Sequence, residues 1–111
     1  MSYKFVSYAN QCIDSIEQKK RMALEIIGGK AETYAKQLCP VDTGRLRNSI
    51  THVQVDHDTE AVGTNVEYAP YVELGHHTSG GKLVEGKPFL RPAAENHGAE
   101  YTEIMKKVMS L

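Results

Sequence analysis

The side chains with the plainest chemical potential are the five histidines: His76 and His77 are adjacent, and His52, His57 and His97 stand apart. Imidazole ligates transition metals and moves protons near neutral pH. Neighbouring histidines on a regular element point away from each other, and no Cys/His pair has zinc-finger spacing. The pattern reads as solvated histidines of a loop. Cys12 and Cys39 lack a catalytic setting and read as small core-filling thiols of a reduced, cytosolic compartment. There is no Gly-x-Ser-x-Gly elbow and no carboxylate pair that spacing alone identifies. Gly80-Gly81 lacks the strand-then-helix setting and the Lys-Ser/Thr ending of a phosphate-binding loop. No catalytic residue, metal or cofactor is expected.

What remains is the chemistry of contact. Arg45, Arg47 and Arg91 either pair with carboxylates such as Glu73, cap helix ends, or reach a neighbouring subunit, where arginine is enriched. Tyr68 and Tyr71 suit the edge of a core or an interface, because each ring carries a polar tip. Together with Glu73, His76, His77, Lys82 and Leu83, these residues are the candidates for a contact surface. The formal net charge of −1 gives no electrostatic footprint for nucleic acid. No apolar run approaches the roughly 20 residues of a membrane helix, so a soluble protein is expected. A chain of 111 residues fits one domain spanning 1–111, and with two Phe and no Trp its core is lean. Association would hide more apolar surface.

These residues need elements to position them. From about Asn10, Ile13, Ile16, Leu24, Ile27, Ala31, Tyr34 and Leu38 recur at steps of three or four, with Lys20 in one slot of the stripe. The stripe keeps phase across Gly28-Gly29, which predicts one long helix, locally weakened by glycine. About 29 residues span roughly 43 Å, against a diameter of roughly 34 Å for a compact domain of this size. Such a helix overhangs its own domain. Met1 to Ala9 fits either a strand or a helical lead-in.

Pro40 ends the helix, Asp42 is placed to cap a new turn, and Gly44 allows close backbone approach. Alternation then puts Thr51, Val53 and Val55 on one face and Ile50, His52 and Gln54 on the other. After the polar turn 56–60, Val62, Thr64 and Val66 alternate again, which predicts an antiparallel hairpin with Gly63 weakening or bulging its second strand. Tyr68 to Gly75 reads as a short helix with Pro70 in its first turn and Gly75 as a left-handed stop. The glycine-rich 76–87 reads as a long loop, mobile in isolation, and 75–87 is expected to order against a neighbour on assembly. Pro88 to Pro92 reads as extended, and Pro92 opens a final helix carried by Ala94, His97, Tyr101, Ile104, Met105, Val108 and Leu111. The fold class is α+β: a long N-terminal helix and a C-terminal helix cover the apolar face of a small antiparallel sheet.

Three segments in order carry a family resemblance: Pro40-Val41-Asp42-Thr43-Gly44-Arg45-Leu46-Arg47-Asn48-Ser49-Ile50, then Val62 through Gly75, then Pro88-Phe89-Leu90-Arg91-Pro92-Ala93. This arrangement resembles the tail-completion (head–tail joining, neck) proteins of long-tailed bacteriophages and prophages, typified by the gene-ten product of a lambda-like phage. Leu74 departs from it, standing where the family often has Phe. The resemblance implies a non-enzymatic virion component, present in the host bacterial cytoplasm during assembly. It implies a ring of copies, often a hexamer, between the tail tube protein and a head-completion or connector protein, with the genome passing through. Alternatives are a head-completion, tail-terminator or minor capsid component, or a small metal-assisted enzyme using the histidines.

Overall fold

Ile50 is the residue that sets the geometry. A computed structural model of the protein describes residues 2–41 and 44–111, with side chains from residue 13 onward. The helix α1 runs Ser2–Leu38 as one unbroken element, passing through Gly28-Gly29 and taking the first residues as helix too. Its 37 residues span about 55 Å. The described chain is correspondingly elongated, 76 × 22 × 22 Å, with a radius of gyration of 19.3 Å, where a compact chain of this length would have about 13 Å. The overhang expected from the sequence is present, and it is larger than expected.

After Pro40 come α2 (Arg45–Ser49), the hairpin β1 (Thr51–Asp56) with β2 (Thr59–Gly63), and α3 (Ala69–Leu74). A second hairpin pairs β3 (Gly75–His77) with β4 (Leu83–Glu85), and α4 (Leu90–Glu95) and α5 (Gly98–Met109) close the chain. The α+β class holds, with two separate two-stranded antiparallel sheets among the described residues. Gly44 precedes α2 with φ +84°, and a Cβ there would touch nothing nearer than 3.5 Å. Its requirement is a left-handed backbone rather than close approach. The cap expected from Asp42 lies outside the described residues.

The core gathers at the corner. Ala35 of α1 and Cys39 just past its end meet Leu46, Ile50, Val66, Ala69, Phe89 and Ala93, with Phe89 and Ile50 the largest side chains fully enclosed. Leu38 does not join them and is exposed. The residues 24, 27, 31, 34 and 38 repeat every 3.5 positions, whereas a straight helix turns every 3.6, so the line drifts. Leu38 is carried outward and Ala35 and Cys39 inward. Ile13 and Ile16, at the other end of the stripe, are 56% and 50% exposed on the overhang.

Ile50 also fixes the hairpin. Strand side chains alternate with period two, so burying Ile50 turns His52 and Gln54 toward α1. Cross-strand pairing of His52 with Val62 and of Gln54 with Glu60 puts Glu60 and Val62 on the same inner face. Thr51, Val53 and Val55 face outward, with the two valines 59% and 61% exposed. The expectation that helices would cover the apolar face is therefore corrected: α1 covers the more polar one. The bulge falls at Val55, between Gln54 and Asp56, and Gly63 pairs regularly with Thr51.

A polar face can seat on a helix only where the helix yields. A Cβ at Gly28 would lie 2.7 Å from His52 Cδ2, 2.8 Å from Glu60 Cγ and 2.9 Å from Glu60 Oε1. Gly28 is the notch that admits the hairpin; nothing approaches Gly29 within 4 Å. At the hairpin tip Lys20 donates to Asp58 at 2.6 Å and to Glu17 at 3.1 Å. The charged residue in the apolar stripe is thus the partner of the turn.

Two further corrections concern the C-terminal half. The stretch 76–87 is organised by β3 and β4 rather than left as a loop. The expected last helix is two, α4 and α5, with α4 starting at Leu90 so that Pro92 sits inside its first turn. Glu73 explains this start. Its carboxylate accepts from the backbone amides of Phe89 at 2.7 Å, Leu90 at 3.1 Å and Arg91 at 2.9 Å. Those are amides that a helix N-terminus leaves without partners. Tyr34 of α1 stacks on His97 at 3.6 Å between ring centroids and donates its hydroxyl to Glu100, tying α5 to the long helix.

Two predictions follow from the seam between α1 and the first hairpin. Gly28→Ala should destabilise by roughly 1–3 kcal/mol through overpacking, whereas Gly29→Ala should stabilise by roughly 0.5–1 kcal/mol through helix propensity. Urea unfolding of both variants measures this, and equal effects would refute the notch. The second concerns pH. The hydrogen bond to Glu25 holds the His52 imidazole above its ordinary range, with Glu32 adding to it and burial opposing. Burial, and then the charge of Glu25, push the Glu60 carboxyl up, against a lowering by His52. Both groups bind protons more tightly when folded, so stability is lost as pH rises through their raised values. Asp56, Asp58 and Glu67 are shifted down, so they are ionised in folded and unfolded chains alike above about pH 5 and add no slope there. The melting temperature in chelator-treated buffer should fall from about pH 5 to about pH 8. Glu60→Gln should flatten that slope; a rise over the same interval would contradict it.

Candidate interaction surface

The contact residues expected from the sequence divide into three places. Tyr68, at the start of α3, and Tyr71 within it meet the second hairpin across a groove of about 660 Å³, which His76, His77 and Lys87 also line. Pro40 and Val72 close it from the corner. Tyr71 is exposed and meets His76 edge to face, with 5.8 Å between ring centroids. The two histidines are neighbours in β3, so they point to opposite sides of the ribbon. They share a groove without sharing a ligand position.

A second groove of about 520 Å³ adjoins the first, sharing Pro40, Tyr68 and Val72 and adding Arg45. The Arg45 guanidinium forks onto Glu67 at 3.0 and 3.2 Å and lies 5.5 Å from the centre of the Tyr68 ring. Both partners of this pair are more than half exposed, so its contribution to stability is small. Its effect is to hold a charged fork in fixed orientation beside an aromatic face. Arg47, two residues on in α2, is exposed.

Glu73 and Arg91 belong to a different side of the molecule. Glu73 caps α4 rather than pairing with an arginine, while Arg91 donates to Glu95 at 3.1 Å across one exposed helical turn. Lys82 and Leu83 lie on the second hairpin, Lys82 donating its amide to Thr78 Oγ1 and Leu83 pairing with His77, both side chains exposed. Of the residues expected from the sequence, Tyr68, Tyr71, His76 and His77 are brought together along one groove, while Glu73, Lys82, Leu83 and Arg91 do not line it. The signal that could have separated Glu73 is its place upstream of a proline-rich helix start, where a carboxylate suits free amides.

Cys39 is buried, and burial pushes its thiol up, which suppresses thiolate chemistry. Glu25, His52 and Glu60 form a group whose ligand atoms lie within 4.8 Å of one another at the seam. Spacing along the chain gave no hint of it, because the donors come from α1, β1 and β2. No helix among the described residues is long and apolar enough to cross a membrane.

Residues 4–75, more than half of the 111-residue chain, match a family model described as "Bacteriophage HK97-gp10, putative tail-component". No curated protein and no solved structure matches. The matched span takes in nearly all of α1, α2, the first hairpin and α3, so it holds the whole seam and the tyrosine side of the groove. The chain belongs to the HK97-gp10-like family of bacteriophage tail components, structural parts of the virion.

Proposed function

We propose that this protein is a tail-completion subunit that closes the head-proximal end of a phage tail and mediates head–tail joining, assembling there as a ring. The observation that carries this reading is apolar surface that the chain's own elements leave uncovered. Val53 and Val55 stand on the outer face of the first hairpin, and Ile13 and Ile16 lie on a helix that extends past the body it packs on. Apolar side chains grouped this way mark contact with another protein.

In the proposed assembly, one copy's overhang and outer hairpin face are covered by its neighbours in the ring, with hexamer as the expected number. The tyrosine-lined groove and the Arg45 fork then meet a second kind of partner, the tail tube protein or the head-completion (connector) protein. A near-neutral chain, formally −1, suits a ring through which the genome passes without being gripped. The subunit is made in the host bacterial cytoplasm and ends in the virion. Membership in a family of tail components supports this account at the level of the particle.

The test uses side chains that do no work in the isolated fold. Val53→Asp with Val55→Asp should leave the free protein folded, within about 1 kcal/mol of wild type. The double variant should fail to restore joining when added to heads and to tails that lack this component, as counted by electron microscopy. Joining at the wild-type level would refute a covered valine face. Gold-labelled protein should lie at the head–tail joint; labels elsewhere on the particle would move it to another structural position.

A further inference from the structure

The seam beneath the first hairpin holds polar chemistry that neither the fold nor a structural role in the virion accounts for. Both carboxylate oxygens of Glu60 are shut off from solvent without a hydrogen-bond partner. Orphaned buried polar atoms cost free energy, and a cluster of them calls for a ligand. Around them, His52 Nε2 faces Glu25 Oε1 at 3.0 Å, and His52 Nδ1 faces Glu32 Oε1 at 3.5 Å. The space is kept by Gly28, whose missing Cβ would strike His52 and Glu60.

From these residues we infer a binding site for one divalent transition-metal ion of the zinc class, held by Glu25, His52 and Glu60, that clamps the hairpin to the long helix. Three features carry the inference. The donor set is one imidazole nitrogen and two carboxylates, which suits zinc; magnesium and calcium prefer oxygen throughout. The three donors already lie within 4.8 Å of one another. Ligands around a tetrahedral zinc sit roughly 3.3 Å apart for bonds of about 2.0–2.1 Å, and the Glu25 side chain is 67% exposed and free to close the difference. Glu32 stands on the far nitrogen of His52, where a carboxylate fixes the imidazole's orientation toward a metal. Glu32 is a positioning residue, and water from the exposed Glu25 side completes the coordination sphere.

The ion gives the seam a mechanical role. The inner face of the hairpin is polar and gains little from contact with α1, whereas bonds from one ion to α1, β1 and β2 would lock the three elements. The outer valines would then be presented on a rigid platform.

Calorimetry and thermal unfolding of chelator-stripped protein with zinc chloride test the site at neutral pH. Wild type should bind one equivalent and melt several degrees higher, with no shift from magnesium chloride. His52→Gln and Glu60→Gln should lose binding, Glu32→Gln should weaken it by about 10–100-fold, and His76→Ala with His77→Ala should bind as wild type. No binding by wild type, or affinity within about twofold of wild type in both His52→Gln and Glu60→Gln, overturns the site. Should those two variants fail to fold, cobalt chloride added to wild type and to the His76→Ala, His77→Ala protein decides. Strong visible bands of low-coordinate cobalt in both support the site. The spectrum of hydrated cobalt, or bands lost with His76 and His77, overturns it.

Discussion

Once Ile50 is buried, the two-residue period of β1 leaves no freedom about where His52 and Val53 point. That single phase relation produces both unusual surfaces of the molecule. Inward, it forces histidine and glutamate against a helix, which the helix admits only because Gly28 has no side chain to obstruct them. Outward, it leaves Val53 and Val55 uncovered. A slip of one residue would exchange the two faces. The corner core, closed by Phe89 and Ile50 against Ala35 and Ala93, prevents that slip.

The same economy governs the rest of the fold. The buried positions of α1 are largely small, with Ala23, Ala31 and Ala35 inside, so neighbouring elements come close while adding little apolar volume. Specific polar ties supplement this lean packing: Lys20 to the hairpin tip, Tyr34 to His97 and Glu100, and Glu73 to the start of α4. A body held this way is well defined at its corner and bare along its helix. In the proposed ring at the tail end, neighbouring copies would supply the rest of its burial.

Much of this was legible in the sequence, and the failures have physical causes. The unbroken helix was readable because the stripe keeps phase across two glycines, and the first hairpin because its strands alternate. The inner face was not readable. Alternation identifies two faces without saying which one is buried, and here hydrophobicity points the wrong way because Ile50 decides from outside the strand. The short second hairpin escaped notice since its strands are three residues each, too brief for a period to show. The grouping of Tyr68, Tyr71, His76 and His77 followed from nearness in sequence. The Glu25, His52 and Glu60 group required knowing how the hairpin crosses the helix.

Hydroxyl-radical footprinting of Val53 and Val55, read by mass spectrometry in the isolated protein and in joined particles, tests the central claim most directly. Both valines should be labelled in the free chain and strongly protected in the particle. Equal labelling in the two states, or protection already in the free chain, would contradict an outward apolar face covered on assembly.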